Sequence, residues 1–382
     1  VLEITSQRGV SGQTMVTYTL DMGVTTRGRR GVSMMDSAEK LELERLLQNP
    51  ETPGYRYSAD YYNKYYAGDP NLSQLIASGE QKLNELRNIN TDWFKELIRN
   101  NLYQKHNVSI RGGSEQTTYY ISANYTKQGG RLPGNDKQRM SLRMNLDQKL
   151  GHIGYALLSV NGGYAKTNTP NGSTSDPTQL VYELNPYETK DGGELISYPG
   201  RTYKDLMNQF SQESAAKTAG ISGSLTLNPL PGLDIAAVAG LDFLLDETEQ
   251  FTPSTSYSEM TSGIPELKRG IFAKSKNTTT NISTNIRATY NHVFAGRHDL
   301  TLGANMDYYL TQLDNVSITG YGVGTINSAA AINHSIQGTR QAEVGALKDK
   351  NAQLGLGAVL GYTFDNIYDF YATYKADASS IL

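Results

Sequence analysis

Five histidines, His106, His152, His292, His298 and His334, are the residues best suited to metal ligation or proton transfer. They are scattered. No pair has the i, i+4 spacing with an adjoining glutamate that sets two zinc ligands and a general base on one helix face. His292 and His298 flank one short turn and could approach each other, but histidines at a solvated rim explain them as well. Gly320-Tyr321-Gly322-Val323-Gly324 has the glycine density of a phosphate-cradling loop without its strand-to-helix setting or terminal glycine, and reads as a plain loop. Asp242, Asp246, Glu247 and Glu249 offer hard oxygens that could hold Ca2+. They lack EF-hand order and fit a charge-rich rim better. With no cysteine, thiolate sites and disulfides are excluded. No catalytic constellation remains, so neither an enzyme nor a cofactor is expected.

Binding chemistry is better represented. Tyr55-Arg56-Tyr57, followed by Tyr61, Tyr62, Tyr65 and Tyr66, has the aromatic density to stack on a sugar or peptide or to meet a partner protein. Tyrosine supplies much contact area with few rotors. A loop packed on its own aromatics is an equal alternative. Tyr57, Tyr61, Tyr62 and Tyr65 are the contact candidates from this stretch. Arg143, Arg287 and Asp307 join them, because each falls on the polar side of a strand pattern.

Those strand patterns are explicit. From Gln116 to Asp147, Tyr119, Ile121, Ala123 and Tyr125 alternate with Tyr120, Ser122, Asn124 and Thr126. Met140, Leu142, Met144 and Leu146 then alternate with Ser141, Arg143, Asn145 and Asp147. A period of two gives the hairpin one apolar and one polar face. Eleven such segments fall at about 14–25, 104–112, 116–127, 138–148, 153–166, 217–228, 233–246, 278–292, 298–312, 351–364 and 368–378. Along the apolar cores of these segments, such as Val16 to Met22, Leu158 to Tyr164, Ile221 to Leu227 and Leu233 to Phe243, the apolar parity is free of Asp, Glu, Lys and Arg. The other parity carries Asp21, Arg143, Asp147, Asp234, Asp242, Arg287, Asp307 and Lys375. An Arg or Lys facing lipid at mid-bilayer costs about 2–4 kcal/mol, so such sorting is expected of a membrane barrel.

Short turns at Gly112–Glu115, Lys149–His152, Pro229–Gly232, Ala295–Arg297 and Asp365–Ile367 alternate with long segments at 26–103, 128–137, 167–216, 247–277 and 313–350. Outer-membrane barrels have short turns at one rim and long loops at the other. Tyr125, Tyr164, Phe243 and Tyr308 sort to the long-loop rim; Tyr119, Tyr290, Tyr362, Phe364 and Phe370 sort to the other. The composition agrees. Tyr is abundant (26, against 8 Phe and 1 Trp), and its ring with a polar tip suits a membrane–water boundary. No run approaches the roughly 18 apolar residues of a membrane helix. A formal net charge of −3 argues against a nucleic-acid partner.

The segment 26–103 reads as structured. Asp36 and Glu39 have capping-box spacing ahead of Leu43, Leu46 and Leu47. Further helices are expected at about 72–87, from Thr91 through Trp93 and Phe94, and at about 201–213.

These residues resemble the SusC/RagA-type TonB-dependent transporters of the Bacteroidota outer membrane. Leu2-Glu3-Ile4-Thr5-Ser6-Gln7-Arg8-Gly9 is similar to the family's last plug strand. Asn90-Thr91-Asp92-Trp93-Phe94 followed by His106-Asn107-Val108-Ser109-Ile110-Arg111-Gly112-Gly113-Ser114 resembles its T-D-W … H-N-x-S-x-S-G-G block. Tyr119-Tyr120, Gln128-Gly129-Gly130 and Arg143-Met144-Asn145-Leu146-Asp147 match the next features. Tyr374-Lys375-Ala376-Asp377-Ala378-Ser379-Ser380 resembles Y-R-x-D-G-S-S, with Lys375 for Arg and Ala378 for Gly.

The resemblance implies an all-β fold, a transmembrane antiparallel barrel of which about 11 strands of a family total of about 22 are present. Residues 1–12 would end the plug, and 13–382 would be the N-terminal half of the barrel, with 26–103 a large extracellular loop. The chain would be a fragment or one half of a split protein, since open sheet edges cannot face lipid. The implied function is TonB-dependent import of an oligosaccharide or oligopeptide. A SusD-like lipoprotein would cap the loops, the TonB complex would act through a region before this chain, and lipid and lipopolysaccharide would surround the wall. Arg143, Arg287 and Asp307 would then contact the plug or the substrate. The rivals are a passive porin or structural barrel, and a soluble glycan-binding surface β-protein.

Overall fold

A computed structural model describes residues 7–28, 31–169, 177–207, 210–324 and 340–380. Eleven strands form one sheet in which each is hydrogen-bonded to its neighbours in sequence, all antiparallel. They are β1 (Gly12–Thr25), β2 (Asn101–Gly113), β3 (Thr117–Gly129), β4 (Asp136–Lys149), β5 (Gly154–Thr169), β6 (Ser211–Leu230), β7 (Leu233–Thr252), β8 (Ile271–Phe294), β9 (His298–Tyr321), β10 (Glu343–Phe364) and β11 (Tyr368–Ser379). Every expected strand is present. Several run further: β9 and β10 pair without interruption from His298↔Phe364 up to Thr319↔Glu343. Apolar alternation marks only the part of a strand that meets hydrocarbon, whereas backbone pairing continues past it.

The short turns are tight. Ala295 and Gly296 both adopt positive φ (52° and 64°), as do Asp365 and Asn366 (56° and 57°). This is the type I′ pattern, whose twist matches that of the flanking strands. Arg297 and Asp365 form a two-point ion pair between these neighbouring turns, one arm 2.6 Å long.

Register shows how the sheet is inclined. One ladder row runs Tyr119, Leu146, Leu158, Gly223, Ala239, Thr284, Tyr308, Leu354, Ala378. It starts two residues above the short-turn end of β3 and finishes ten above that of β11. One residue of stagger per strand, about 3.3 Å against an interstrand spacing of about 4.8 Å, is a tilt near 35°, at the lower end of the barrel range. The same row therefore carries Tyr119 at the lower aromatic girdle and Tyr308 at the upper one.

The sheet has no second layer among the described residues. Val16, Tyr18, Met22, Met140, Leu142, Phe370 and Tyr374 on its apolar face are exposed. The buried hydrophobic clusters lie in the loops instead. There, among the described residues, eight α-helices and a 3-10 turn (Glu266–Lys268) occur: α1 (Ser37–Leu47), α2 (Pro53–Arg56), α3 (Ala59–Tyr65), α4 (Leu72–Arg87), α5 (Trp93–Leu97), α6 (Pro177–Glu183), α7 (Tyr203–Met207) and α8 (Tyr257–Thr261). The capping box at Asp36 and Glu39 is formed. The helix expected over 201–213 is cut to α7, because chain from Ser211 onward is drawn into β6 opposite β5 and β7.

Candidate functional site

The polar face of the wall is built by lateral pairing. Arg143 sits in one row between Ser122 and Asn161, and that row continues through Gly220 to Asp242 and Asn281. Arg287 lies between Ala236 and Asn305, and Asp307 accepts from the amides of Asn285 and Asn305, the latter at 3.3 Å. Arg143 on β4 is therefore far around the wall from Arg287 on β8 and Asp307 on β9. They share a face but are not gathered at one point.

Beside Arg143 a polar groove of about 580 Å3 is lined by Gln7, Asp21, Lys105, Tyr120 and Arg139, among others. Lys105 pairs with Asp21 at 3.7 Å. Arg139 and Arg143 have no ion pair among the described residues, so the groove presents two uncompensated guanidiniums. Arg139 was not singled out in the sequence, although it shares the parity of Arg143 and lies four residues before it.

The described end of the expected plug strand lies on this same face. Arg8 forms an ion pair with Asp147 at 2.6 Å, and Asn145, which is buried, donates to the carbonyl of Gln7 at 2.6 Å. A Cβ on Gly9 would fall 2.3 Å from the backbone nitrogen of Tyr119, so only glycine passes this close to the wall. Residues 1–6 of that strand, and His334, lie outside the described residues.

The long loops form one cap. Trp93, Leu97 and Ile98 from the first long segment share a core with Leu180, Val181, Leu184, Leu195 and Leu206 from the third, and Leu132 and Tyr257 from two more pack against it. Burial of each large side chain stabilises this core by about 1.5–3 kcal/mol. Polar ties cross the same joint. Trp93 Nε1 donates to Asn185 O (2.8 Å), and the Thr91 amide donates to Pro186 O (2.7 Å). Glu44, 3% exposed, accepts from Tyr187 Oη at 2.8 Å and from the Gly54 amide at 3.0 Å. Burial, followed by the Glu44 charge, pushes the Tyr187 hydroxyl well above the usual tyrosine range. A second clamp joins Arg340 to the buried Glu259 (2.5 and 3.0 Å), with the guanidinium over the Tyr321 ring. Neither Glu44 nor Glu259 carries a sequence signal, since partners 143 and 81 residues away are invisible to local spacing.

The tyrosine stretch packs on itself. The Tyr61 ring lies 5.6 Å from that of Tyr55, 5.7 Å from Tyr62 and 4.7 Å from Tyr65, centroid to centroid. Tyr57 packs inward against the cluster of Leu41, Leu83, Leu86 and Tyr187. Helix α4 approaches through Gly79, where a Cβ would sit 2.4 Å from the Tyr57 carbonyl oxygen. Tyr65 and Tyr66 are the exposed members of the group.

The carboxylates proposed for calcium are not brought together. Asp242 and Asp246 face the polar side; Glu247 and Glu249 face the other and pair with Lys217 (2.9 Å) and Lys274. Among the described residues no three His, Asp or Glu converge on a metal position. His292 and His298 do not meet each other: both stack on Phe294, and His298 Nδ1 lies 2.6 Å from Tyr362 Oη. His106 is on the apolar face, not in solvent at a rim, with Nδ1 2.8 Å from Tyr18 Oη and its ring beside Tyr125. The glycines at 320–324 close β9 into a turn where Gly322 and Gly324 take positive φ.

A tilted antiparallel wall, apolar outside and polar inside, with a chain segment tied to its inner face, is part of an outer-membrane-type β-barrel. No protein-family model matches the chain. It is 25% identical over 236 residues to TonB-dependent receptor P3 of Formosa agariphila, covering 58% of this chain and 23% of that protein. It is 28% identical over 123 residues to TonB-dependent receptor SusC of Bacteroides thetaiotaomicron, covering 30% and 12%. The fold matches a chain of the RagAB peptide transporter with a TM-score of 0.63 at 18% identity, over 98% of this chain and 43% of that one. The RagAB peptide importer in its closed-closed and open-open states matches equally. The chain thus spans less than half the length of the relatives it matches. In fold and in sequence the chain is thus similar to part of the SusC/RagA-type TonB-dependent receptors.

Proposed function

We propose that this chain is the N-terminal half of the barrel wall, with the end of the plug at its start, in a TonB-dependent importer of the outer membrane of a Gram-negative bacterium. The importer takes up an oligosaccharide or oligopeptide and works beneath a SusD-like surface lipoprotein. The observation that carries this reading is the segregation of the wall's two faces together with the Gln7–Arg8 tie to the inner one. In such a machine the wall is rigid, the fused loops are the docking face, and the plug moves when TonB pulls on it. No covalent step is asked of any residue here. The Arg139 and Arg143 guanidiniums are the wall's contribution to holding the plug or the cargo, and Tyr65 and Tyr66 are the exposed aromatics of the docking face. A passive porin needs no chain segment held against its inner face.

The test is uptake of labelled oligosaccharide and oligopeptide pools by cells that carry or lack the full-length protein. Import of one pool should depend on the protein and stop when the proton-motive force is collapsed. Protein-dependent uptake that survives that collapse would make this a porin and end the proposal.

A further inference from the structure

The outward face of the wall changes character abruptly above its upper aromatic girdle. Just above Tyr125, at the long-loop end of β2–β4, lies a groove of about 490 Å3 lined by Arg99, Asn100, Leu102, Gln104, Lys127 and Gln138, among others. Gln104, Lys127 and Gln138 stand side by side in one ladder row, so one ammonium is flanked by two amides on the same face. Arg99 and Lys127 are exposed and have no ion pair among the described residues. The carboxylate at the groove, Asp136, accepts from Asn168 at 3.2 Å.

This placement is unlike most of the outward charge; Lys276, the other outward lysine without an ion pair among the described residues, stands opposite Glu247 in the ladder. Lys166, Lys217, Lys274 and Lys348 are each compensated, by Glu213, Glu247, Glu249 and Asp314. Lys127 is left free. It sits two residues above Tyr125, about 5 Å higher at the tilt derived above, which is headgroup depth. Below it the same face offers exposed Val108, Met140 and Leu142 for acyl chains.

We propose that this groove binds the phosphate of a glycolipid headgroup in the leaflet surrounding the long-loop rim. The cations supply charge, the glutamine amides donate to the phosphate oxygens, and the apolar strand face beneath carries the chains. The inference rests on the membrane embedding in the proposed function, which sedimentation of the full-length protein with outer membranes tests separately.

The decisive experiment is native mass spectrometry of the full-length protein in detergent with lipid A, with dephosphorylated lipid A, and with inorganic phosphate alone. Lipid A should be retained, dephosphorylated lipid A should not, and Arg99→Gln with Lys127→Gln should weaken retention about 25-fold, near fivefold per cation. Lys276→Gln removes an outward, unpaired lysine six residues above Ile282 and should change retention less than twofold. Heat-modifiable electrophoretic mobility confirms that the variants are folded. Equal retention of the dephosphorylated lipid, no loss in the double variant, or an equal loss with Lys276→Gln would each overturn the site, as would retention of inorganic phosphate alone at the same concentration.

Discussion

Glu44 holds three parts of the cap with one carboxylate: it stands on α1, receives the Gly54 amide of α2, and receives the Tyr187 hydroxyl from a loop 143 residues later. Hydrogen bonds to a buried charged group contribute about 1.5–3 kcal/mol, so Tyr187→Phe should destabilise the cap by that amount. Limited proteolysis within 177–207 should accelerate accordingly, with the barrel unaffected. The pH dependence follows from the raised Tyr187 value. A group whose folded-state pKa lies above the unfolded one contributes fully below the unfolded value and less as pH rises beyond it. The tie should be intact up to about pH 10, the ordinary tyrosine value, and loosen above it. Proteolysis within 177–207 that accelerates no more between pH 9 and 11 in the native protein than in Tyr187→Phe would refute this account. Contact residues were legible in the sequence only where parity exposes them. Arg143 and Arg287 declare their face by position, whereas Glu44, Tyr187 and Glu259 are defined by partners that only the folded loops bring near.

Among the elements, β4 gives the cleanest test of which face meets lipid. Leu142, seven residues above the short-turn end, lies near mid-band on the apolar side, next to Ser141 on the polar side. Leu142→Arg should destabilise the assembled barrel by about 2–4 kcal/mol. Ser141→Arg faces the polar groove and should cost little. Urea unfolding from bilayers reads the difference, and equal effects would mean the faces are wrongly assigned. All eleven strands were visible from alternation, but the upper third or so of β8, β9 and β10 was not. Above the membrane the outward residues become Lys276, Asp314 and Lys348, the polarity contrast disappears, and only backbone pairing remains to mark the strand.

At the scale of the whole molecule, β1 and β11 are each paired on one side only among the described residues. Each therefore presents a row of backbone donors and acceptors that neither lipid nor the apolar face can satisfy. Expressed as these 382 residues, the chain should not insert into detergent or bilayer as a folded monomer. It should aggregate or pair edge to edge, and sedimentation as a monodisperse, heat-modifiable species would contradict this. Supplying the strands that cover both edges should rescue insertion.

Sequence alone determined the wall: period-two alternation with a charge-free face and alternating turn lengths leaves few structures other than a membrane sheet. It also indicated the family, through short motifs whose spacing is local. Tertiary structure decided the tilt, which is a property of register between strands, and the fusion of four loops into one capped core. It also decided which of the wall's charges remain uncompensated, because a lysine's counterion lies across a ladder or a loop and not along the chain.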